Sequence, residues 1–202
     1  MIRRFVLALV PLLAACGDDA PATEPDAGTV SDASGDAPGD APGFDTCEGS
    51  CQTTALTATF AATRVLDRAY YGVTQEPSGT TLHVEAYRGG DPGCPEMKSA
   101  TPEYALILGR VPVPTSTDPV DSPANLLDYQ GDLFADDVLG VRATEVTITP
   151  VAARVCTSCV GMPAPSDPDG MIALDVELTF PDGAVSGHLY ATHCDSLDLV
   201  ER

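Results

Sequence analysis

The chain is poor in basic and aromatic residues. Its 202 residues include no tryptophan, and lysine and arginine together number 10 against 30 aspartates and glutamates. The formal net charge of −20 opposes binding to nucleic acid and to anionic lipid head groups. No apolar run approaches the roughly 20 residues that a membrane-spanning helix needs. We therefore expect no nucleic-acid partner and no membrane-spanning segment.

The N-terminus has the layout of an export signal. Two arginines are followed by an apolar run that is too short to span a bilayer and ends in small residues. The sequence Leu13-Ala14-Ala15-Cys16 resembles the lipobox of bacterial lipoproteins, in which the cysteine is acylated and becomes the mature N-terminus. The resemblance implies a signal peptide over residues 1–15 and a membrane anchor through lipid on Cys16. The alternative is an ordinary secretory signal cleaved before the same cysteine.

The residue after Cys16 bears on which membrane holds the anchor. It is Gly17 and not aspartate, which the resemblance implies for a lipoprotein passed on to the outer membrane, with the domain on its periplasmic or surface face.

An acidic linker follows the cysteine. Without the signal the chain has 8 basic and 30 acidic residues, a net charge of −22. Residues 16–46 are rich in Ala, Asp, Pro and Gly and have few large apolar side chains. Such a segment cannot offset the entropy of ordering, so we predict a disordered acidic tether.

Residues 47–202 are the size of one ordinary domain and contain strand signals almost throughout. Apolar and polar residues alternate over short stretches, the first at residues 56–62, and no long window keeps a helical apolar stripe. We predict an all-β domain, an antiparallel β-sandwich of about eight strands, with a β-barrel as the alternative. Residues 111–132 contain four prolines and are expected to be a long irregular connection with at most one edge strand. Loops on a rigid scaffold often carry function, so this connection is a candidate binding surface.

The clearest predicted element is a hairpin near the C-terminus. Residues 172–180 alternate between apolar and polar side chains, and Asp182-Gly183 is a strong two-residue turn signal. With these two residues as the turn, Phe180 faces Val185. Both strands then present their apolar side chains to the same face of the sheet.

Candidate catalytic residues are few. The chain has no G-x-S-x-G, S-x-x-K, H-E-x-x-H, P-loop or G-x-G-x-x-G motif. The predicted hairpin register places His193 facing inward and His188 opposite Glu177, as a base with an orienting carboxylate. Such a pair on an outer face is usually a solvated ion pair worth under ~1 kcal/mol. We therefore predict a protein that is not an enzyme and needs no cofactor.

Six cysteines follow the lipobox, and an even number in an exported chain usually forms disulfides. They are Cys47, Cys51, Cys94, Cys156, Cys159 and Cys194. We predict that Cys94, in a turn-like segment, pairs with Cys194 after the last strand, which would stabilise the domain by about 4 to 5 kcal/mol. The other four pair either within the C-x3-C and C-x2-C motifs or crosswise between them. Each local bridge contributes only about 2 kcal/mol, which makes crosswise pairing attractive, and the sequence leaves both open.

The sequence leaves two other uses of the cysteines open, and one use of a group of aspartates. The C-x3-C and C-x2-C cysteines could together supply four thiolates to a structural zinc ion, although an oxidising compartment opposes free thiolates. Cys156 and Cys159 could form a thiol exchange motif, although working motifs use a helix N-terminus to lower a thiol pKa. A metal carrier could instead use the acidic residues Asp128, Asp132, Asp136 and Asp137.

Together these features predict a monomeric, lipid-anchored envelope protein with a binding or structural role. The tether favours binding, because it carries the domain away from the lipid surface toward a protein or small-molecule partner. The alternatives are an envelope thiol-disulfide oxidoreductase that uses the C-x2-C motif and a metal-binding lipoprotein.

Overall fold

The computed structural model describes residues 43–134, 139–159, 167 and 169–200. These residues contain eleven strands and two 3-10 turns but no α-helix, which confirms the all-β class. The strands are β1 (Ala55–Thr59), β2 (Thr63–Leu66), β3 (Arg68–Glu76), β4 (Gly79–Arg88), β5 (Tyr104–Pro112), β6 (Ala124–Asp128), β7 (Gly140–Arg142), β8 (Glu145–Arg154), β9 (Met171–Phe180), β10 (Gly183–His193) and β11 (Leu199–Val200). The 3-10 turns are Gly49–Gln52 and Asp195–Leu197. The predicted signal peptide, Cys16 and most of the predicted linker lie outside the described residues.

The described strands belong to one open, mixed sheet with β10 at its centre. One edge of β10 pairs with β9 over nearly its whole length. The other edge is shared, because residues 184–188 pair antiparallel with β1 while residues 191–193 pair parallel with β3. The sheet continues from β3 through β4, β5 and β6 to β7, and from β9 to β8. Sharing of β10 thus joins into one sheet the strands expected in two. The pairings of β3 with β10 and with β11 are parallel, and the other pairings of the named strands are antiparallel.

The core follows the alternation that predicted the strands. Every second residue along β9 from Ile172 to Phe180 is buried, while Asp175 and Glu177 between them are exposed. The largest fully buried side chains are Tyr71, Leu56, Leu66, Leu82, Leu106, Leu108, Leu126, Leu133, Ile148, Ile172, Leu174 and Leu189. Burial of each aliphatic side chain of this size is worth about 1.5–3 kcal/mol, so this cluster is the main source of stability.

The β9–β10 hairpin forms, but its register differs by two residues from the predicted one. Phe180 pairs with Gly183, so Pro181 and Asp182 form the turn and the predicted turn at Asp182 and Gly183 is wrong. Proline suits the first central position of a turn, since its ring holds φ at about −65°. Gly183 lies in the strand instead, where an added Cβ would come within 2.4 Å of the Thr59 carbonyl oxygen. A shift of two residues preserves the apolar faces, which were predicted correctly.

The proline-rich connection is more ordered than predicted. It contains β6, which pairs with both β5 and β7 and is therefore an interior strand rather than an edge. Upstream of β6, Val120 forms an isolated antiparallel bridge with Ile148 of β8. The Ser122 hydroxyl donates to the Gly109 carbonyl oxygen at 2.7 Å. These hydrogen bonds attach the connection to the sheet.

Candidate ligand-binding groove

The outer face of β3, β4, β5 and β6 carries a row of side chains that the register aligns. Arg68 pairs with Tyr87, Tyr87 with Ala105, and Ala105 with Leu127, so each strand contributes one residue. Because successive residues of a strand point to opposite faces, this row lies on the face away from the core. The neighbouring row on the same face consists of Tyr70, Glu85 and Ile107.

The loop between β4 and β5 forms one wall of a groove over this face. The Gly93 N–H donates to the Tyr70 hydroxyl at 2.8 Å, which attaches the loop to β3. Within the loop the Ala100 N–H donates to Asp91 Oδ2 at 2.8 Å. The loop leaves β4 through Gly90, whose φ of 74° is a left-handed conformation that favours glycine. Hydrogen bonds from two backbone N–H groups to side chains, together with a glycine in the left-handed conformation, therefore hold the wall in place.

The groove encloses about 310 Å³, within the usual range for a small-molecule site. Its floor is apolar and is formed by Ala105, Ile107 and Leu127. Two tyrosines flank the floor: the Tyr87 side chain is almost fully buried, and Tyr129 is 41% exposed at the rim. Apolar and aromatic surfaces of this kind favour a ligand with a flat apolar face.

Arg68 lines the groove and has a hydrogen-bond donor without a partner among the described residues. Its guanidinium carbon lies 5.9 Å from the centre of the Tyr87 ring, and its Nη2 donates to the Gly89 carbonyl oxygen. The Nε–H is buried and has no acceptor among the described residues. A buried donor without a partner costs about 1–3 kcal/mol.

Three carboxylates also line the groove, those of Glu85, Asp91 and Glu96. The Glu85 carboxylate contacts the His83 ring, with Oε1 and Nε2 2.7 Å apart. Together with the net charge of −20, these groups disfavour an anionic ligand. The groove therefore suits a neutral molecule with an apolar face and a hydrogen-bond acceptor.

The predicted disulfide candidates form three pairs. Cys94 and Cys194 are bonded, as predicted, with their Cα atoms 5.6 Å apart. The other four pair within their own motifs, as Cys47 with Cys51 and Cys156 with Cys159. The crosswise pairing and the four-thiolate zinc site are therefore not formed. The C-x2-C motif lies in a turn after β8, away from any helix N-terminus in the described part of the chain.

The acidic residues proposed as metal ligands have other partners. Asp128 is 3% exposed, and its two carboxylate oxygens accept the N–H groups of Gln130, Gly131 and Leu133. Asp132 accepts the Tyr104 hydroxyl at 2.7 Å and pairs with Arg64. These two contacts hold the pKa of Asp132 below its ordinary value, and the hydrogen bond from Tyr104 has the larger effect. The carboxylates thus stabilise a loop, and Asp136 and Asp137 lie outside the described residues.

His188 has a different partner from the one predicted. The register places it opposite Asp175, and its Nδ1 lies 2.7 Å from Asp175 Oδ1, while Glu177 pairs with Ser186. The other ring nitrogen, Nε2, lies 2.9 Å from the Cys51 carbonyl oxygen. The imidazole therefore ties the first 3-10 turn to β10, which is a structural role.

Leu127 and Tyr129 of the groove lie in the connection predicted as a candidate binding surface, whereas the groove residues on β3, β4 and β5 were not predicted as a site. The available signal was Tyr87, an aromatic residue at an outward position of a strand whose alternate positions carry Glu85 and His83. No signal of this kind existed for Arg68, because its neighbours across the sheet are distant in the sequence. Tyr129 follows β6, within the segment that the prolines predict to be irregular.

In the part of the chain that the structure describes, no helix is long and apolar enough to cross a membrane. The chain matches no family model, no curated protein and no solved structure in the comparisons made. The geometry and chemistry of the groove are thus the basis for a proposal about function.

Proposed function

We propose that this chain is a lipoprotein of the bacterial envelope, anchored in the outer membrane through Cys16, whose β domain binds a small molecule in the groove on its outer face. The lipobox sequence supports the anchor. The composition of residues 16–46 supports a tether that carries the domain clear of the lipid. The binding role rests on the groove.

The observation that carries the binding role is the Nε–H of Arg68. It is a buried donor without an acceptor among the described residues, and the Arg68 side chain lines the groove together with Ile107. Buried polar groups in folded proteins nearly always have partners. A ligand that lies on the apolar floor and draws the Arg68 side chain toward it would cover the apolar surface and give the donor an acceptor.

The ligand class follows from the same surfaces. A neutral cyclic molecule places a flat face on the floor and a carbonyl or hydroxyl oxygen near Arg68. The acidic rim, including Asp91 and Glu96, disfavours phosphates and carboxylates. We expect pyranose sugars and neutral heterocycles with a carbonyl group to be the best probes.

Saturation-transfer NMR with a library of such neutral cyclic compounds tests this role. The Ile107→Trp variant fills the groove and should weaken every genuine binder at least tenfold. Arg68→Met keeps the aliphatic stem but removes the donor, and should weaken binders that carry an acceptor. The control is Val151→Trp on β8, where the native side chain is 36% exposed and the groove is unaffected. Absence of binders to the unaltered chain, or equal binding by Ile107→Trp, would contradict the proposal.

A separate experiment tests the anchor. Cells fed with labelled palmitate should incorporate the label into the unaltered chain and not into Cys16→Ser. Ser31→Ala, in the same N-terminal segment, is the control and should be labelled normally. Cys16→Ser protein that is processed at the same site and still fractionates with membranes would refute the lipid anchor.

A further inference from the structure

A second cluster of polar side chains lies at the C-terminal end of β10. His193 is the last residue of that strand, and its side chain is only 2% exposed. Parallel pairing with β3 places it beside Tyr71, with the two ring centres 5.3 Å apart. The chain then turns through Asp195 and Asp198, whose carboxylates come back to the imidazole.

Nε2 of the His193 imidazole has a carboxylate as its hydrogen-bond partner. Nε2 lies 3.0 Å from Asp198 Oδ1, which also accepts the Val73 N–H at 2.7 Å. The Asp198 side chain is 10% exposed, so this contact is largely shielded from water. Because a carboxylate accepts hydrogen bonds, Nε2 donates to Asp198, and Nδ1 carries the lone pair whenever the ring is neutral.

The other ring nitrogen, Nδ1, has no hydrogen-bond partner among the described residues. His193 Nδ1 is buried and makes no hydrogen bond with any described residue. Its nearest charged neighbour is Asp195 Oδ1 at 3.5 Å, and the Asp195 side chain is 64% exposed. Nδ1 and a carboxylate oxygen thus lie close together, the first on a buried side chain and the second on an exposed one.

This arrangement has the geometry of a metal site. Two ligands about 2.0–2.1 Å from a tetrahedral zinc ion are separated by roughly 3.3 Å, close to the separation of Nδ1 and the Asp195 oxygen. A histidine that binds a metal usually donates its other ring N–H to a carboxylate, which sets the tautomer and the ring orientation. Asp198 stands in that position toward His193.

We propose that His193 Nδ1 and Asp195 Oδ1 bind a divalent transition-metal ion of the zinc class. Asp198 acts as the positioning residue, and water completes the coordination. An imidazole nitrogen with one carboxylate suits zinc better than calcium or magnesium, which prefer oxygen ligands throughout. The site uses none of the cysteines and none of the acidic loop around Asp128.

Isothermal titration of the full chain in detergent, after treatment with EDTA and without reductant, tests the site with zinc chloride. We expect one equivalent of zinc to bind. Asp195→Asn should weaken binding at least tenfold, and Asp198→Asn should weaken it about 10- to 100-fold. The matched control is Asp182→Asn in the β9–β10 turn, an exposed acid that should leave the affinity unchanged.

A second measurement distinguishes the site from general attraction to an acidic surface. The ¹⁵N signal of His193 Nδ1 should move on addition of zinc and should stay in place on addition of magnesium. Asp195 is exposed, so its asparagine variant is expected to fold, which circular dichroism checks. Absence of zinc binding, or zinc binding that Asp195→Asn and Asp182→Asn reduce equally, would overturn the proposal.

Discussion

Cys94 and Cys194 are 100 residues apart in the sequence, yet they are bonded, with Cα atoms 5.6 Å apart. The bond joins the loop that walls the groove to the residue that follows β10. A hydrogen bond from the Ser196 hydroxyl to the Pro95 carbonyl oxygen adds a second tie between the same segments. The wall of the groove is therefore held to the centre of the sheet.

Removal of this disulfide is expected to be the most damaging change at any of the three bridges. The double variant Cys94→Ser, Cys194→Ser should lower the free energy of unfolding by about 4 to 5 kcal/mol, because a long loop of the unfolded chain is released. Urea unfolding measures the loss. The matched variant Cys47→Ser, Cys51→Ser opens a loop of only a few residues and should lose about 2 kcal/mol. Equal losses in the free energy of unfolding would contradict the claim that the long bridge stabilises the domain most.

Asp128 should be essential to the loop after β6. Its buried carboxylate accepts three backbone N–H groups at distances of 2.9, 2.7 and 2.7 Å. Asp128→Ala leaves these donors without an acceptor and should lower the free energy of unfolding by about 3 kcal/mol. The control Asp118→Ala removes an exposed acid and should change it by no more than about 0.5 kcal/mol. A loss no larger than that of the control would show that the loop finds other acceptors.

The contact between Tyr104 and Asp132 should depend on pH. The pKa of Asp132 is lowered in the folded state, first by the Tyr104 hydroxyl and then by Arg64. Its contribution to stability is therefore present above the ordinary carboxyl pKa of about 4 and is lost as the pH falls through the lower folded value. Tyr104→Phe should raise the pKa of Asp132, which carboxyl ¹³C NMR titration measures. An unchanged pKa in this variant would refute the contact.

Gly183→Ala tests the observed hairpin register. An added Cβ would lie 2.4 Å from both the Thr59 carbonyl oxygen and the Phe60 ring, so β1 or the hairpin must shift. We expect a loss of about 2 kcal/mol or more in the free energy of unfolding. Gly109→Ala is the control, because its nearest neighbour, the Pro123 carbonyl oxygen, is 4.0 Å away and no loss is expected. Similar effects at both glycines, read by thermal melting, would contradict the register.

The first strand illustrates a limit of local pattern. Alternation from residue 56 to residue 62 predicts one strand, whereas the chain turns after Thr59 and returns as β2. The Phe60 N–H donates to the Ala62 carbonyl oxygen at 3.0 Å to close the turn. No glycine, proline or asparagine marks it, and the Phe60 ring is instead held by Phe134 and Phe180, with ring centres 5.4 and 5.5 Å away. Tertiary packing of the aromatic ring decides the bend.

The sequence by itself determined the all-β class and the apolar faces of β9 and β10, and it indicated the long bridge from Cys94 to Cys194 without fixing the cysteine connectivity. Alternation with a period of two residues is a local property, and it survives a register shift of two. The tertiary structure decided the shared edge of β10, the local pairing of the remaining cysteines and both candidate sites. Arg68 and Tyr87, like His193 and Asp195, acquire their chemistry from neighbours placed by strand pairing and by the C-terminal turn. Such placement depends on the packing of the whole domain, which no local pattern encodes.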